Sequence, residues 1–234
     1  MFELTRFKIL TFDCYGTMID WESGIFSALR PILAWHKRNI SDAALLELYS
    51  ELELKAERAD YQSYREVLQS VVRGFGEQLG FTPTGEQVRS LPESLANWQP
   101  FPDTVDALRK LKRRYQLAVI SNIDDDLFAT TLPKLGVAFD HVITAQQAEC
   151  YKPGMKIFEM AEKRIGVSRQ QWLHVGQSIY HDVIPAKSLG IATVWVNRPS
   201  PRPGAGAAKA ASGTPDLEVR NLSALAELAT AKNV

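Results

Sequence analysis

Several features are scarce in this chain of 234 residues, and each absence excludes a class of protein. Cys14 and Cys150 are its only cysteines, too few for a disulfide framework, which favours a reduced, cytoplasmic setting. No apolar run approaches the roughly 18–20 residues that span a bilayer, and the N-terminal apolar stretch is too short for a signal peptide. Neither sign of charge is in excess, since 27 Lys and Arg balance 27 Asp and Glu. The sequence therefore argues against nucleic-acid and membrane partners.

Hydrophobic residues make up 45% of the chain, which is enough for a sizeable core. Five short runs rich in Val, Ile, Thr and aromatic residues predict β-strands at residues 8–12, 117–121, 141–144, 172–176 and 192–196. Helical patterns separate the later runs, and the triplet Asp124-Asp125-Asp126 is expected to cap the helix that follows it. This alternation predicts an α/β fold, a Rossmann-like parallel sheet core with helices on both faces. After a loop rich in Pro, Gly and Ala at residues 199–215, an edge strand is predicted at 217–219 and a helix at 222–229.

The stretch between the first and second predicted strands has almost no strand signal. Two apolar stripes recur there at helical spacing, one within residues 45–52 and the other within residues 64–79. We therefore predict an inserted all-helical cap domain at residues 18–98 and a core domain at residues 1–17 and 99–234. The alternative is a set of helices that pack on the core without closing over a site.

Polar side chains follow the predicted strands at the edge where ligands bind in open α/β sheets. Asp13 and Thr17 follow the first strand, Asn122 the second, and Gln177 the fourth. Lys152 stands in a later loop, and His181 and Asp182 come shortly after Gln177. We expect two carboxylates, a lysine, hydroxyls and amides to converge at one edge of the sheet.

These residues belong to four motifs in chain order: FDCYGT at 12–17, SN at 121–122, YKP at 151–153, and VGQS at 175–178 with an aspartate four residues later. Together they resemble the haloacid dehalogenase superfamily, and the resemblance covers nearly the whole chain, including the helical insertion. It implies that Asp13 is the nucleophile. Members of the superfamily catalyse several different reactions, and the residues at the other motif positions distinguish between these reactions.

Two positions argue against phosphoryl transfer. Magnesium-dependent phosphatases of the superfamily carry aspartates where this chain has Tyr15 and Gln177. Asp13 and Asp182 alone would make a weak site, because Mg²⁺ requires near-octahedral oxygen coordination. We therefore expect no metal and no other cofactor, and a superfamily phosphatase stays a further alternative.

The pattern Asp-x-Tyr-Gly-Thr resembles the type II (S)-2-haloacid dehalogenases, in which the aspartate displaces a halide and water then cleaves the ester. The resemblance implies a short 2-haloacid as the substrate, and a monomer or a homodimer. It assigns catalysis to Asp13, Thr17, Lys152 and Asp182. Lys152 is expected to keep Asp13 ionised, and Asp182 to pair with Lys152 and position the water. It assigns substrate binding to Cys14, Tyr15, Ser121, Asn122, Gln177, Ser178 and His181, with Ser121 and Asn122 donating to the substrate carboxylate.

The chain departs from this pattern on the cap. Dehalogenases of this type typically hold the departing halide with an arginine on the first long cap helix, near the position of Ser50. Arg58 and Arg65 lie further along the chain and are candidates to replace it.

A related group of hydrolases fits the replacement of this arginine. The segments LTFDCYGTMIDWESGI, FPDTVDAL and SNIDDD are similar to azetidine-2-carboxylate hydrolases, whose leaving group is a ring amine that needs a proton. Tyr15, His181 or Glu51 could supply that proton. Ring opening is therefore the alternative to dehalogenation, and a weakly active member that binds a small carboxylate or a partner protein is a third.

Overall fold

The computed structural model describes residues 2–58, 60–198 and 206–231. Within them, six strands form one parallel sheet in the spatial order β3-β2-β1-β4-β5-β6. The strands are β1 (Ile9–Phe12), β2 (Gln116–Ser121), β3 (His141–Thr144), β4 (Trp172–Gly176), β5 (Ala192–Val196) and β6 (Leu217–Val219). The α/β prediction is confirmed. β1 begins one residue later than predicted and β2 one residue earlier, and the other strands have the predicted bounds.

The sheet grows outward from β1 in both directions. The chain passes from β1 to β2 and β3 on one side, and then returns to place β4 on the other side of β1. The two loops that leave β1 and β4 therefore diverge, and they open a crevice at the carboxyl ends of these strands. Every residue of β1 and β4 is buried, as expected for the inner strands of a parallel sheet covered on both faces.

Ten α-helices occur in the described residues. Four of them follow β1: α1 (Trp21–Trp35), α2 (Asp42–Glu57), α3 (Tyr64–Leu79) and α4 (Gly85–Ser94). The others are α5 (Thr104–Lys112), α6 (Asp125–Thr131), α7 (Ala145–Ala148), α8 (Met155–Ile165), α9 (Ile184–Ser188) and α10 (Leu222–Thr230). In the core, α8 packs on β2 and β3, α9 packs on β5, and α5 packs against α10.

The insertion after β1 contains helices where the apolar stripes predict them. Polar side chains cap all four helices at the N-terminus: Asp20 for α1, Ser41 for α2, Ser63 for α3 and Thr84 for α4. α3 packs between α2 and α4, and α4 also packs on α1. The apolar stripe of α3 is buried, except for the half-buried Leu79 at its end.

Two aspartates cap helices other than the ones that follow them. Asp124 makes no side-chain bond to α6; its carboxylate accepts hydrogen bonds from the N–H groups of Tyr64 and Arg65, at the start of α3. The prediction that the triplet caps α6 is therefore wrong for Asp124, whereas Asp126 accepts from the Leu127 N–H in the first turn of that helix. Asp103 likewise leaves α5 uncapped and accepts from the first two N–H groups of α10. Asp124 thus ties the helical insertion to the carboxyl edge of the sheet.

Part of the predicted loop at residues 199–215 lies outside the described residues, namely 199–205. Residues 206–215 contain no helix or strand. No helix in the described part of the chain is both long enough and apolar enough to cross a membrane.

Candidate active site

A lysine and two carboxylates form the centre of the crevice between β1 and β4. Asp13 directly follows β1, Asp182 follows β4, and Lys152 reaches in from the loop between α7 and α8. The Lys152 ammonium donates to Asp13 Oδ1 at 2.8 Å, to Asp182 Oδ1 at 2.7 Å and to the carbonyl of Ile120 at 3.0 Å. Its three N–H groups are therefore all used within the protein.

Burial and pairing set the charges of this cluster. Burial lowers the pKa of Lys152, but the charges and hydrogen bonds of Asp13 and Asp182 outweigh it and hold that pKa above its ordinary value. Burial raises the pKa of Asp13, and the hydrogen bonds from Lys152 and Thr17 oppose this effect. Lys152 also outweighs burial at Asp182 and keeps the pKa of that carboxyl below its usual range. The pKa of Asp13 stays above its ordinary value, and the cation favours the ionised form of both carboxylates against the effect of burial.

The turn after β1 fixes the orientation of Asp13. Thr17 Oγ1 donates to Asp13 Oδ2 at 2.8 Å and accepts from the Gln177 N–H at 2.8 Å. Both oxygens of Asp13 are thus held, one by Lys152 and the other by Thr17. Gly16 permits this turn, because its φ of +92° is one that L side chains rarely adopt.

Asp182 is oriented from β4 and from the turn that follows it. Its Oδ2 accepts from the Ser178 N–H at 3.2 Å, and its Oδ1 lies 3.2 Å from His174 Nε2. Gly176 makes room for the carboxylate, since a Cβ at that position would lie 2.4 Å from Asp182 Cγ. His174 was not a predicted site residue, although a histidine inside an otherwise apolar strand was a visible signal.

A cavity opens above the cluster, between the sheet edge and helices α1 to α3. Its empty volume, including the opening to solvent, is about 470 Å³. Lining residues from the sheet side are Asp13, Tyr15, Ser121, Asn122, Lys152, Gln177, Ser178, His181, Asp182 and Ala208. Lining residues from the helical insertion are Trp21, Glu53, Glu57 and Tyr64. The cavity is therefore closed by both parts of the chain.

Most of the residues predicted from the sequence line this cavity, but their side chains differ in hydrogen bonding. Ser121 Oγ is buried, lines the cavity and has no hydrogen-bond partner among the described residues. Asn122 is predicted to bind the substrate carboxylate, but its Nδ2 donates to Glu57 and to the carbonyl of Lys152. Tyr15 hydrogen-bonds Thr131 through its hydroxyl. The side chain of Cys14 is fully buried and does not line the cavity, and burial raises the pKa of its thiol well above the usual value.

Gln177 and Ser178 also lie at the cavity, and Ser178 positions His181. Ser178 Oγ accepts from the His181 N–H at 3.0 Å and lies 3.1 Å from its Nδ1. When Ser178 donates to Nδ1, the imidazole proton is on Nε2, which is buried without a hydrogen-bond partner among the described residues. Burial lowers the pKa of His181 to about 4, so the ring is neutral near pH 7.

Comparison with known proteins identifies the family of this chain. The family model described as haloacid dehalogenase-like hydrolase matches residues 7–190. The chain belongs to this family. It is similar to an (S)-2-haloacid dehalogenase of Pseudomonas sp. (strain YL), with 27% identity and 94% of each chain covered. It is also similar to haloacetate dehalogenase H-2 of Moraxella sp. (strain B), with 27% identity over 83% of this chain and 88% of the relative.

A solved structure, that of the L-2-haloacid dehalogenase from Xanthobacter autotrophicus, has the same fold. It superposes with a TM-score of 0.77 at 21% identity, covering 95% of this chain and 98% of that one. The superposition supports the prediction of the superfamily fold.

Two carboxyls from α2 were missed by the sequence-based reasoning. Glu53 and Glu57 are four residues apart, on one face of the helix, and both line the cavity. Glu51, the predicted acidic residue of this helix, is exposed to solvent and does not line the cavity. The four-residue spacing that continues from the buried Tyr49 was the signal that could have identified Glu53 and Glu57.

The basic residues considered as halide ligands lie outside this haloacid dehalogenase-like site. Arg65 pairs with Asp126 at 2.5 Å, and Arg58 donates to the hydroxyl of Tyr180. Lys209 lies over the ring of Tyr180, 4.0 Å from its centre. Among the described residues, Lys152 is the one lysine or arginine that lines the cavity.

The site does not fit the magnesium ion used by many family members. In the part of the chain that the structure describes, no three His, Cys, Asp or Glu side chains are grouped to hold a metal. Asp13 and Asp182 both bind the Lys152 ammonium, and Tyr15 and Gln177 offer no carboxylate. A hard divalent cation would therefore find too few free carboxylate oxygens here.

Proposed function

We propose that this chain is a hydrolase that displaces a leaving group from the carbon next to a carboxylate, with dehalogenation of short 2-haloacids as its reaction. The carrying observation is the buried nucleophile Asp13, held at one oxygen by Lys152 and at the other by Thr17. The dehalogenases named above as similar proteins support the same reaction. The proposal includes a cap domain at residues 18–98 on a core at 1–17 and 99–234, in a cytoplasmic enzyme that is a monomer or a homodimer and needs no metal.

In the first half of the reaction, an Asp13 oxygen bonds to the substrate carbon, and the leaving group departs with the electron pair. Ser121 Oγ is an unused donor for the substrate carboxylate, because it is buried at the cavity without a partner among the described residues. Neutral donors suit this role, since Asp13 already carries a negative charge.

In the second half, water adds to the carbonyl carbon of the Asp13 ester and releases the hydroxy acid. Asp182 keeps Lys152 against Asp13 through this step, since its Oδ1 accepts from the same ammonium. Its Oδ2 accepts one hydrogen bond, from Ser178, and so retains a lone pair for a water molecule.

The origin of the product oxygen tests this mechanism. A single turnover of (S)-2-chloropropionate in H₂¹⁸O is expected to leave the label on the Asp13 peptide, with unlabelled lactate and free chloride. Mass spectrometry of the Asp13 peptide and of the lactate shows which of them carries the label. Label in the first-turnover lactate would show direct attack by water, and the loss of all turnover on EDTA treatment would favour the phosphatase alternative.

Ring opening of a cyclic amino acid is the second candidate, favoured by the carboxyls of Glu53 and Glu57 where a halide-binding arginine is expected. Asp13 would form the same ester while the C–N bond breaks and its electron pair stays on nitrogen. Hydrolysis of the ester would then release a proton that the free amine accepts.

A further inference from the structure

A buried chain of hydrogen bonds reaches Asp182 from residues that do not line the cavity. Thr11 lies on β1, and Trp172 and His174 lie on β4. Trp172 Nε1 donates to Thr11 Oγ1 at 2.7 Å, and the same oxygen lies 2.8 Å from His174 Nδ1. His174 Nε2 in turn lies 3.2 Å from Asp182 Oδ1. All four residues are at most 1% exposed, so their polar groups must satisfy one another.

The two ends of this chain determine which atoms donate and which accept. At one end, the indole N–H of Trp172 can only donate, so it occupies a lone pair of Thr11 Oγ1. At the other end, Lys152 outweighs the effect of burial and keeps the pKa of Asp182 below its usual range. An ionised carboxylate can only accept, so His174 Nε2 carries a proton and donates it to Oδ1.

The other ring nitrogen of His174, Nδ1, is left as an acceptor. Thr11 Oγ1 has one proton to donate and, in the described part of the chain, no partners besides Trp172 and His174. A proton on Nδ1 would leave that hydroxyl proton buried without an acceptor. An imidazolium would also be a second buried cation on the Asp182 oxygen that binds Lys152. The ring is therefore neutral, with its proton on Nε2.

Packing holds this ring in place from two directions. Phe158 of α8 meets the His174 ring edge to face, with 5.2 Å between the ring centres. Within the sheet, Thr11 of β1 and Thr193 of β5 stand on either side of His174 at the same register. Thr193 donates through its hydroxyl to Asp216, whereas Thr11 bonds to the imidazole. The two flanking threonines thus differ in whether they belong to the chain.

His174 makes the two oxygens of Asp182 unequal. Oδ1 accepts from His174 and from Lys152, whereas Oδ2 accepts from the Ser178 N–H and retains a lone pair for water. Without His174, Lys152 alone would hold Oδ1 against a rotation of the carboxylate. Such a rotation would displace the oxygen that accepts from the hydrolytic water.

We propose that His174 is a positioning residue, which acts through Asp182 on the second half of the reaction. Trp172 and Thr11 hold its ring as the Nε2–H tautomer. The inference rests on the proposed function for the Asp13 ester that the positioned water attacks. The expected contribution to kcat is about 10-fold to 10²-fold, the value of one hydrogen bond to a charged group.

Two variants of His174 separate positioning from packing. His174→Gln can place an amide N–H near the position of Nε2, whereas His174→Phe fills the space of the ring and has no donor. The kcat for chloride release from (S)-2-chloropropionate is expected to fall at least about 10-fold in His174→Phe and less than about 3-fold in His174→Gln. A purely structural role predicts the opposite order, because a buried amide is costlier than a phenyl ring. Equal losses, or a larger loss in His174→Gln, would overturn the proposal.

The kinetic step that slows is a second readout. Slower hydrolysis of the ester lowers kcat and KM together, so kcat/KM of His174→Phe should stay within about 3-fold of the wild type. Acid-quenched His174→Phe should also carry the substrate mass on a larger fraction of its Asp13 peptide. Equal falls in kcat and kcat/KM, without more ester, would show that His174 does not act on hydrolysis.

The flanking threonines supply a matched pair. Thr11→Val and Thr193→Val each remove a buried hydroxyl beside His174. We expect kcat to fall at least about 3-fold in Thr11→Val and to be unchanged in Thr193→Val. The same kcat in both variants would contradict a role for the Thr11 hydroxyl.

The tautomer is tested without turnover, which separates this inference from the proposed function. Two-bond ¹H–¹⁵N spectra of the wild-type protein at pH 7 are expected to show His174 with a proton on Nε2 and a bare Nδ1. The signals of His174 are identified by their loss in His174→Gln. A proton on Nδ1 would refute the chain even if the Asp13 ester forms. An Nε2–H tautomer in a protein that never forms the ester would refute the proposed function, and with it the role in hydrolysis, but not the chain to Asp182.

Discussion

Replacing Lys152 with methionine tests the centre of the site. The ammonium is 2% exposed and lies 2.8 Å from Asp13 and 2.7 Å from Asp182. At an effective dielectric constant of about 20, attraction over such a distance is about 6 kcal/mol for each pair. Removing one partner of a buried ion pair costs roughly 3–5 kcal/mol, because an uncompensated charge stays behind.

The variant can avoid that cost if Asp13 or Asp182 binds a proton. A protonated Asp13 is no longer a nucleophile. Loss of Lys152 raises the pKa of Asp13, since burial and the charge of Asp182 both act in that direction and the opposing cation is gone. We expect Lys152→Met to lose at least about 10²-fold in kcat at pH 7, which is about 2.7 kcal/mol of barrier. Its kcat should rise with pH as Asp13 ionises, with a midpoint at higher pH than in the wild type, because Lys152 limits the rise of the Asp13 pKa there.

The assay is chloride release or amine formation over pH 6–9, with Lys156→Met as the control. Lys156 is exposed and makes only a long contact of 3.8 Å to Glu149, so its variant should keep the wild-type rate. Melting curves at pH 5.5, where a carboxyl can take up a proton, test whether Lys152→Met folds. A folded variant with near-normal kcat at pH 7 would refute the reasoning about the Asp13–Lys152–Asp182 cluster.

Three further outcomes follow from the structure. Gly176→Ala should lower kcat by at least about 10²-fold, because its Cβ would lie 2.4 Å from the Asp182 carboxylate. The control is Gly85→Ala, whose Cβ would meet only a flexible arginine side chain at 3.5 Å, and its kcat should be unchanged. Asp124→Ala should cost about 1 kcal/mol in the free energy of unfolding, measured by urea denaturation, since it removes two hydrogen bonds to the first N–H groups of α3 and leaves only the Ser63 cap. If ring opening, the second candidate reaction, takes place, its rate should rise with pH through the Glu53 pKa of about 6 as that carboxyl ionises, and this rise should vanish in Glu53→Gln.

The core of the fold and the centre of the candidate site were predictable because they depend on local patterns. Each strand is a short apolar run followed by a polar residue, and parallel sheets bring those residues to one edge. The positions of Asp13, Lys152 and Asp182 follow from this rule together with the family motifs. The sequence does not give the distances between these side chains, and the hydrogen bonds of Lys152 to both carboxylates are seen only in the structure.

The helix caps were harder to predict, because a side chain that stands directly before one helix can cap a different helix. Asp103 and Asp124 both stand before helices, yet their carboxylates bond the N–H groups of α10 and α3, which are distant in the chain. The N-terminus of any helix offers unpaired N–H groups, so spatial neighbours compete for them. Local spacing cannot say which neighbour will be present.

The face of α2 that lines the cavity could have been deduced from helix geometry. Successive residues turn by about 100°, so Glu53 and Glu57 lie roughly 40° and 80° from Tyr49, while Glu51 lies about 160° away. Tyr49 is completely buried, and Glu51 is exposed. The apolar residues that dock α2 onto its neighbours therefore decide which acidic residues enter the cavity.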